Sequence, residues 1–95
     1  MSPSTAATLS SDDVLAVLRA TMQAEFGLPP QRIEPSAHLI DDLDLDSIDL
    51  VDLAVSLEEQ SGIKLDEEEL KLVRTVADAV AVVHAAFARR SAGGR

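Results

Sequence analysis

The residues best suited to chemistry lie in one stretch, Asp41-Asp42-Leu43-Asp44-Leu45-Asp46-Ser47-Ile48-Asp49-Leu50-Val51-Asp52-Leu53. It sets a single hydroxyl, Ser47, among carboxylates, with apolar residues in the gaps. No Lys or Arg falls between Arg32 and Lys64. Clustered carboxylates suit a cation, and Asp42-x-Asp44-x-Asp46 has the opening spacing of a calcium-binding EF-hand loop. That loop needs Gly at its sixth position and a bidentate Glu at its twelfth. Counted from Asp42, those positions hold Ser47 and Leu53, so no metal site is expected.

Catalysis fares no better. The histidines are His38 and His84, neither adjacent to Ser47 in sequence. His84 falls on or beside an apolar helical stripe, where a core or boundary role is the ordinary one. No nucleophile-elbow pattern surrounds Ser47, and so short a chain leaves little room for a substrate pocket. The chain is not expected to be an enzyme.

Ser47 also has a plain structural reading, since serine near a helix start is ordinary capping chemistry. Asp46, however, can already cap. An exposed hydroxyl at a helix N-terminus suits a phosphate-bearing group, because backbone N–H groups point at it. The surrounding aspartates oppose a free phosphate. A covalent phosphodiester resolves that conflict.

The elements that must position this stretch are helical. Ninety-five residues make one small domain, rich in Ala, Leu and Val and nearly free of aromatics. There are no cysteines, so disulfides and thiolate metal sites are excluded. The formal charge of −9 disfavours nucleic acid and anionic membrane surfaces and favours basic protein patches. No apolar run approaches a membrane span, and residues 1–10 lack signal-peptide order. A cytoplasmic monomer is expected.

Residues 1–9 read as a flexible tail. Ser10 can cap a first helix over about 12–26, with Val14, Leu15, Leu18, Met22 and Phe26 at helical spacing. Gly27 suits its end, and Pro29-Pro30 should prevent a restart. A long loop follows to Asp46, pinned by the scattered apolar residues Leu28, Ile33, Leu39, Ile40, Leu43 and Leu45, with a short helical turn expected near Ser36 to Leu39. The second helix begins at Asp46 or Ser47 and ends near Gln60, before Gly62. Asp46 is its expected N-cap, with Asp49 three residues on. Asp66 and Glu69 suggest a capping box on a short acidic helix. Thr75 and Asp78 suggest one on the last, with Val76, Val80, Val83, His84 and Phe87 as its stripe. The predicted architecture is all-α: a small four-helix bundle of three main helices and one short helix, with a long first loop. The bundle is expected over residues 10–88, with a flexible tail at 89–95.

The second helix has more apolar surface than a core requires. Leu50, Leu53, Ala54 and Leu57 form one stripe, enough to face the bundle. Ile48, Val51 and Val55 form a second, roughly 130° round at 100° per residue. Asp52, Glu58 and Glu59 border it, with Asp49 further round. Burial on two sides is one reading. The other is an exposed strip rimmed by acids, which suits a basic partner.

At Asp46-Ser47-Ile48, within Asp41-Asp42-Leu43-x-x-Asp46-Ser47-Ile48-Asp49, the chain resembles the Asp-Ser-Leu modification motif of acyl carrier proteins. The resemblance extends over about residues 12–87. It takes in Phe26-Gly27-Leu28, Leu57-Glu58-Glu59 and Thr75-Val76. It implies a four-helix bundle whose serine, here Ser47, carries 4′-phosphopantetheine donated from coenzyme A by a separate phosphopantetheinyl transferase. The arm's thiol would hold acyl groups as thioesters, which suits a cysteine-free chain. The resemblance also implies that Asp46, Ile48, Asp49, Val51, Asp52, Val55, Glu58 and Glu59 dock on basic patches of partners such as a ketosynthase or an acyltransferase. A stand-alone carrier serving fatty-acid or polyketide-type synthesis is the expectation. An aminoacyl or peptidyl carrier, or an acidic helical adaptor without a prosthetic group, are the alternatives. Three departures stand out: Ile48 for the usual Leu, Asp44 where Gly is common, and Ser61 where fatty-acid carriers often have a large apolar residue. They leave a specialised pathway open.

Overall fold

The computed structural model describes residues 10–93; the tail expected at residues 1–9 lies outside them. Within them the chain forms helix α1 (Ser11–Phe26), a 3-10 turn (Pro30–Arg32), α2 (Ser47–Ser61), α3 (Glu67–Leu70) and α4 (Val76–Gly93), with no strand. This is the small all-α architecture read from the sequence.

The helix ends follow local chemistry. Ser10 accepts from the Asp13 N–H, and the Asp13 carboxylate accepts from the Ser10 N–H, a reciprocal capping box at α1. Gly27 and Gly62 end α1 and α2 at φ of 69° and 73°. A side chain is strained in that left-handed region, which is why glycine stands at both. At α3, Asp66 accepts from the Glu68 N–H at 2.8 Å. The box expected with Glu69 does not form; Glu69 instead lies 3.9 Å from the Arg89 guanidinium on α4. α4 runs on to Gly93, past the boundary expected at residue 88. Ala85, Ala86, Ala88 and Arg89 are strong helix formers, and no Gly or Pro interrupts them before that point.

The core joins Val14, Leu18 and Met22 of α1 to Leu53 and Leu57 of α2 and Val76, Val80 and Val83 of α4. A polar seam also links α1 and α2. Thr21 is buried and donates its hydroxyl to the Val17 carbonyl at 2.9 Å. Gln60 reaches that same hydroxyl, and Ser56 donates to the Glu25 carboxylate.

The long loop is anchored by Ile33, Leu39, Leu43 and Leu45, all buried. Full burial of such a side chain is worth roughly 1.5–3 kcal/mol. The helical content of this loop differs from the sequence expectation in two places. Pro29-Pro30 does not prevent a restart: Pro30 opens the 3-10 turn, because its fixed φ suits the first position of a helical turn. The helical turn expected near Ser36 to Leu39 does not form. Those residues pair with the start of α4 instead. Leu39 N–H donates to the Arg74 carbonyl (2.8 Å), Val76 N–H to Ala37 (3.0 Å), and Ala77 N–H to Pro35 (2.9 Å). His38 and Thr75 form an isolated antiparallel bridge at the centre.

Thr75 and Asp78 secure this junction. Thr75 Oγ1 accepts from the Asp78 N–H, and the Asp78 carboxylate accepts from the Thr75 and Arg74 N–H groups at 3.1 Å. These bonds favour the charged carboxylate and hold the Asp78 pKa below its ordinary value, the Thr75 N–H first. A lowered folded-state pKa means the stabilisation is present above the unfolded pKa and lost as pH falls through the folded one. Asp78→Asn is therefore expected to melt below the parent at neutral pH. The gap should close on acidification below the carboxylate range. Thermal melts across that pH series measure it, and a gap independent of pH would refute the assignment.

Candidate functional site

Ser47 is the first residue of α2, and the helix N-cap is Asp46. Asp46 Oδ1 accepts from the Asp49 N–H at 2.9 Å, and Asp49 Oδ2 accepts from the Asp46 N–H at 3.1 Å. The capping work is thus shared by two aspartates and does not need the serine. The Ser47 side chain is exposed, and among the described residues its hydroxyl has no hydrogen-bond partner.

The loop feeding this position is tightly tied. Leu43 and Asp42 both donate their N–H groups to the His38 carbonyl, and the Asp42 carboxylate accepts from the His38 N–H at 2.7 Å. The Arg32 guanidinium donates to the Asp42 carbonyl. Leu45 N–H returns to the Leu39 carbonyl at 3.0 Å. Asp44 lies between, at φ 61°. Where the sequence showed only an acid in place of a common glycine, the backbone is in the left-handed region. Asp tolerates that region better than most residues.

Ser47 opens into a cleft of about 290 Å³ between α2 and α3. Ile40, Leu50, Val51, Leu70 and Val73 give it apolar walls, with Glu67 and Lys71 among the lining residues. Ile40, expected to help pin the loop, is exposed here instead. Leu50, Leu70 and Val73 also line a small apolar cavity of about 20 Å³ in the core, shared with Leu18, Leu53, Leu57 and Val83. No histidine is among the described residues lining the cleft. His38 is held in the loop, its Nδ1 accepting from the Asp41 N–H at 3.2 Å. Among the described residues no group of carboxylates and histidines converges to hold a metal ion.

The two stripes of α2 separate cleanly. Leu53, Ala54 and Leu57 are buried and Leu50 half-buried. Ile48, Val51 and Val55 are exposed at 70%, 45% and 44%. Burial on two sides is thereby excluded for this helix. Asp46, Asp52 and Glu59 are exposed around the strip, and Asp49 and Glu58 are half-buried. Glu58 has a local task that periodicity could not reveal. Its Oε2 accepts from the Leu65 N–H at 2.8 Å and ties down the link to α3.

A covalent arm on Ser47 fits this geometry: the hydroxyl is exposed and unshared, and an apolar-walled cleft adjoins it. A family model described as a phosphopantetheine attachment site matches residues 16–83, from α1 into α4. The chain belongs to the acyl carrier proteins. Acyl carrier protein 2 of Ralstonia nicotianae is 42% identical over 80 residues, 84% of this chain and 99% of its own. The acyl carrier protein of Renibacterium salmoninarum is 38% identical over 79 residues, 83% and 98% of the two chains. The meromycolate extension acyl carrier protein of Mycolicibacterium aurum is 35% identical over 74 residues, 78% and 76% of the two. Such proteins are carriers and not enzymes, and phosphopantetheine is their prosthetic group. The family works with a phosphopantetheinyl transferase and with synthase enzymes. No helix among the described residues of this carrier is long and apolar enough to cross a membrane.

The left-handed Asp44 gives a direct test of the loop. Asp44→Val places a β-branched residue where the left-handed conformation costs roughly 1–2 kcal/mol. Chemical denaturation should show a loss of about that size, with Asp44→Gly no less stable than Asp44→Val. Equal stability of the parent and Asp44→Val would mean that the loop does not hold this conformation.

Proposed function

We propose that Ser47 is the attachment point for 4′-phosphopantetheine, and that the carrier delivers acyl groups, held as thioesters, to fatty-acid or polyketide-type biosynthetic enzymes. The observation that carries this reading is the exposed, unshared Ser47 hydroxyl at a helix start whose cap is already supplied by Asp46 and Asp49. When bound, the arm supplies a thiol that this cysteine-free chain lacks. The chain's own residues do the rest. Asp46 and Asp49 fix the first turn so that the hydroxyl faces outward. Leu50, Val51, Leu70 and Val73 offer apolar wall to whatever hangs from it. The relatives named as meromycolate extension acyl carrier proteins favour acyl-chain extension as the setting.

Intact mass tests the attachment. Incubation with coenzyme A and a broad-specificity phosphopantetheinyl transferase should add one phosphopantetheine to the parent and none to Ser47→Ala. A gain that survives Ser47→Ala would sink the assignment.

The partner-docking face in this reading is Ile48, Val51 and Val55, with Asp46, Asp49, Asp52, Glu58 and Glu59 around them. Exposed carboxylates steer a basic partner over a range set by ionic screening, about 8 Å at physiological salt. The apolar strip gives the short-range fit. The acids do not carry equal weight, because Asp46 and Asp49 are spent on the cap and Glu58 on Leu65. Asp52 and Glu59 are the exposed acids of the strip with no such task among the described residues, and Asp52 lies nearer Ile48 and Val51 in sequence. Asp52→Lys should therefore slow transferase loading severalfold at low salt and much less at high salt, with the melting temperature nearly unchanged. Equal slowing at both salt concentrations would argue against steering.

A further inference from the structure

The cleft beside Ser47 contains a cation that neither the attachment nor the docking strip uses. Its lining is apolar except for Ser47, Glu67 and Lys71. The nearby charge on α2 and α3 is otherwise negative: Asp46, Asp49 and Asp52 on one side, Glu67 and Glu68 on the other. A phosphodiester on Ser47 adds another anion to that field. Lys71 is the C-cap of α3, and its backbone N–H is bonded to the carbonyls of Glu67 and Glu69, so the root of the side chain is fixed. Its ammonium is exposed and lies 3.8 Å from the equally exposed Glu68 carboxylate. Exposed pairs of this kind are weak and exchange readily for a better partner. A lysine ammonium on a flexible stem is well suited to meet a phosphate as a point charge.

We propose that Lys71 is a positioning residue for the prosthetic arm: its ammonium pairs with the phosphodiester on Ser47 and lays the arm along the α3 wall of the cleft. Glu68 is then its competitor in the unloaded protein. The pairing directs the arm toward Ile40, Leu70 and Val73 and away from the exposed strip of α2. This inference rests on Ser47 as the attachment point, and the experiment separates the two.

The test uses the full chain, isotopically labelled, before and after loading with phosphopantetheine. Intact mass first establishes loading of the parent, Lys71→Gln and Glu68→Gln. The readouts are the Lys71 side-chain resonances and the phosphorus resonance of the loaded protein, at low and high salt. Lys64, exposed and outside the cleft lining, is the internal control. On loading, the Lys71 signals should shift and those of Lys64 should stay. The phosphorus resonance of Lys71→Gln should move toward the high-salt position of the parent, and that of Glu68→Gln should move the opposite way. Lys71 and Glu68 are exposed, so both variants should keep the parent fold, which amide spectra check. Loading at Ser47 with unmoved Lys71 signals and one phosphorus position in all three proteins would overturn the Lys71 assignment alone. No loading at Ser47 would overturn the attachment reading and this one with it.

Discussion

The placement of Ser47 depends on a short backbone pairing far from it in sequence. Residues 35–39 have no helix or sheet to satisfy their polar groups, and they find partners in residues 74–77 at the start of α4. A buried backbone N–H left unpaired costs free energy comparable to a lost hydrogen bond, so this pairing fixes the loop path. From Leu39 the order propagates forward. Leu45 returns to the Leu39 carbonyl, Asp42 closes on His38, and Asp46 is delivered where it can cap α2. The same junction holds the Thr75–Asp78 cap, so α4 begins where the loop is clamped.

The acidic stretch is therefore not one feature. Asp42, Asp46 and Asp49 spend carboxylate oxygens on backbone N–H groups. Their charge remains, but their geometry is committed to folding. Asp44 contributes a backbone conformation, and Asp52 and Glu59 face solvent. A dense run of like charges is tolerated because much of it is compensated by amide dipoles, and the rest is screened by water.

Local rules recovered the helices well. Ser10, Asp46, Thr75, Gly27 and Gly62 all act within one turn of themselves, and the two stripes of α2 follow from 100° steps. The features that escaped reading are those decided at long range. The residues around Ser36 to Leu39 were open to a helical turn in isolation, and the tertiary pairing with α4 drew them out. Glu58 looked like one more surface acid until the link to Leu65 supplied an N–H to accept from. Nothing in the sequence distinguishes Ile40 from the buried loop residues, because the tertiary path decides which side of a turn faces the cleft. The position of Ser47 was legible, and its freedom from capping followed from Asp46. The chemistry proposed for it rests on the family motif, since an isolated serine at a helix start reads as a cap.

Leu50, Leu70 and Val73 belong to two surfaces at once, the wall of the open cleft and the lining of the core cavity. At that place the partition between solvent and interior is a single side chain thick. It is backed by α3, a helix of 4 residues with none fully buried. The long helices α1, α2 and α4 supply most of the buried core, and α3 adds no fully buried residue to it. That thin partition stands next to the Ser47 hydroxyl, from which, in the proposed reading, the acyl cargo hangs.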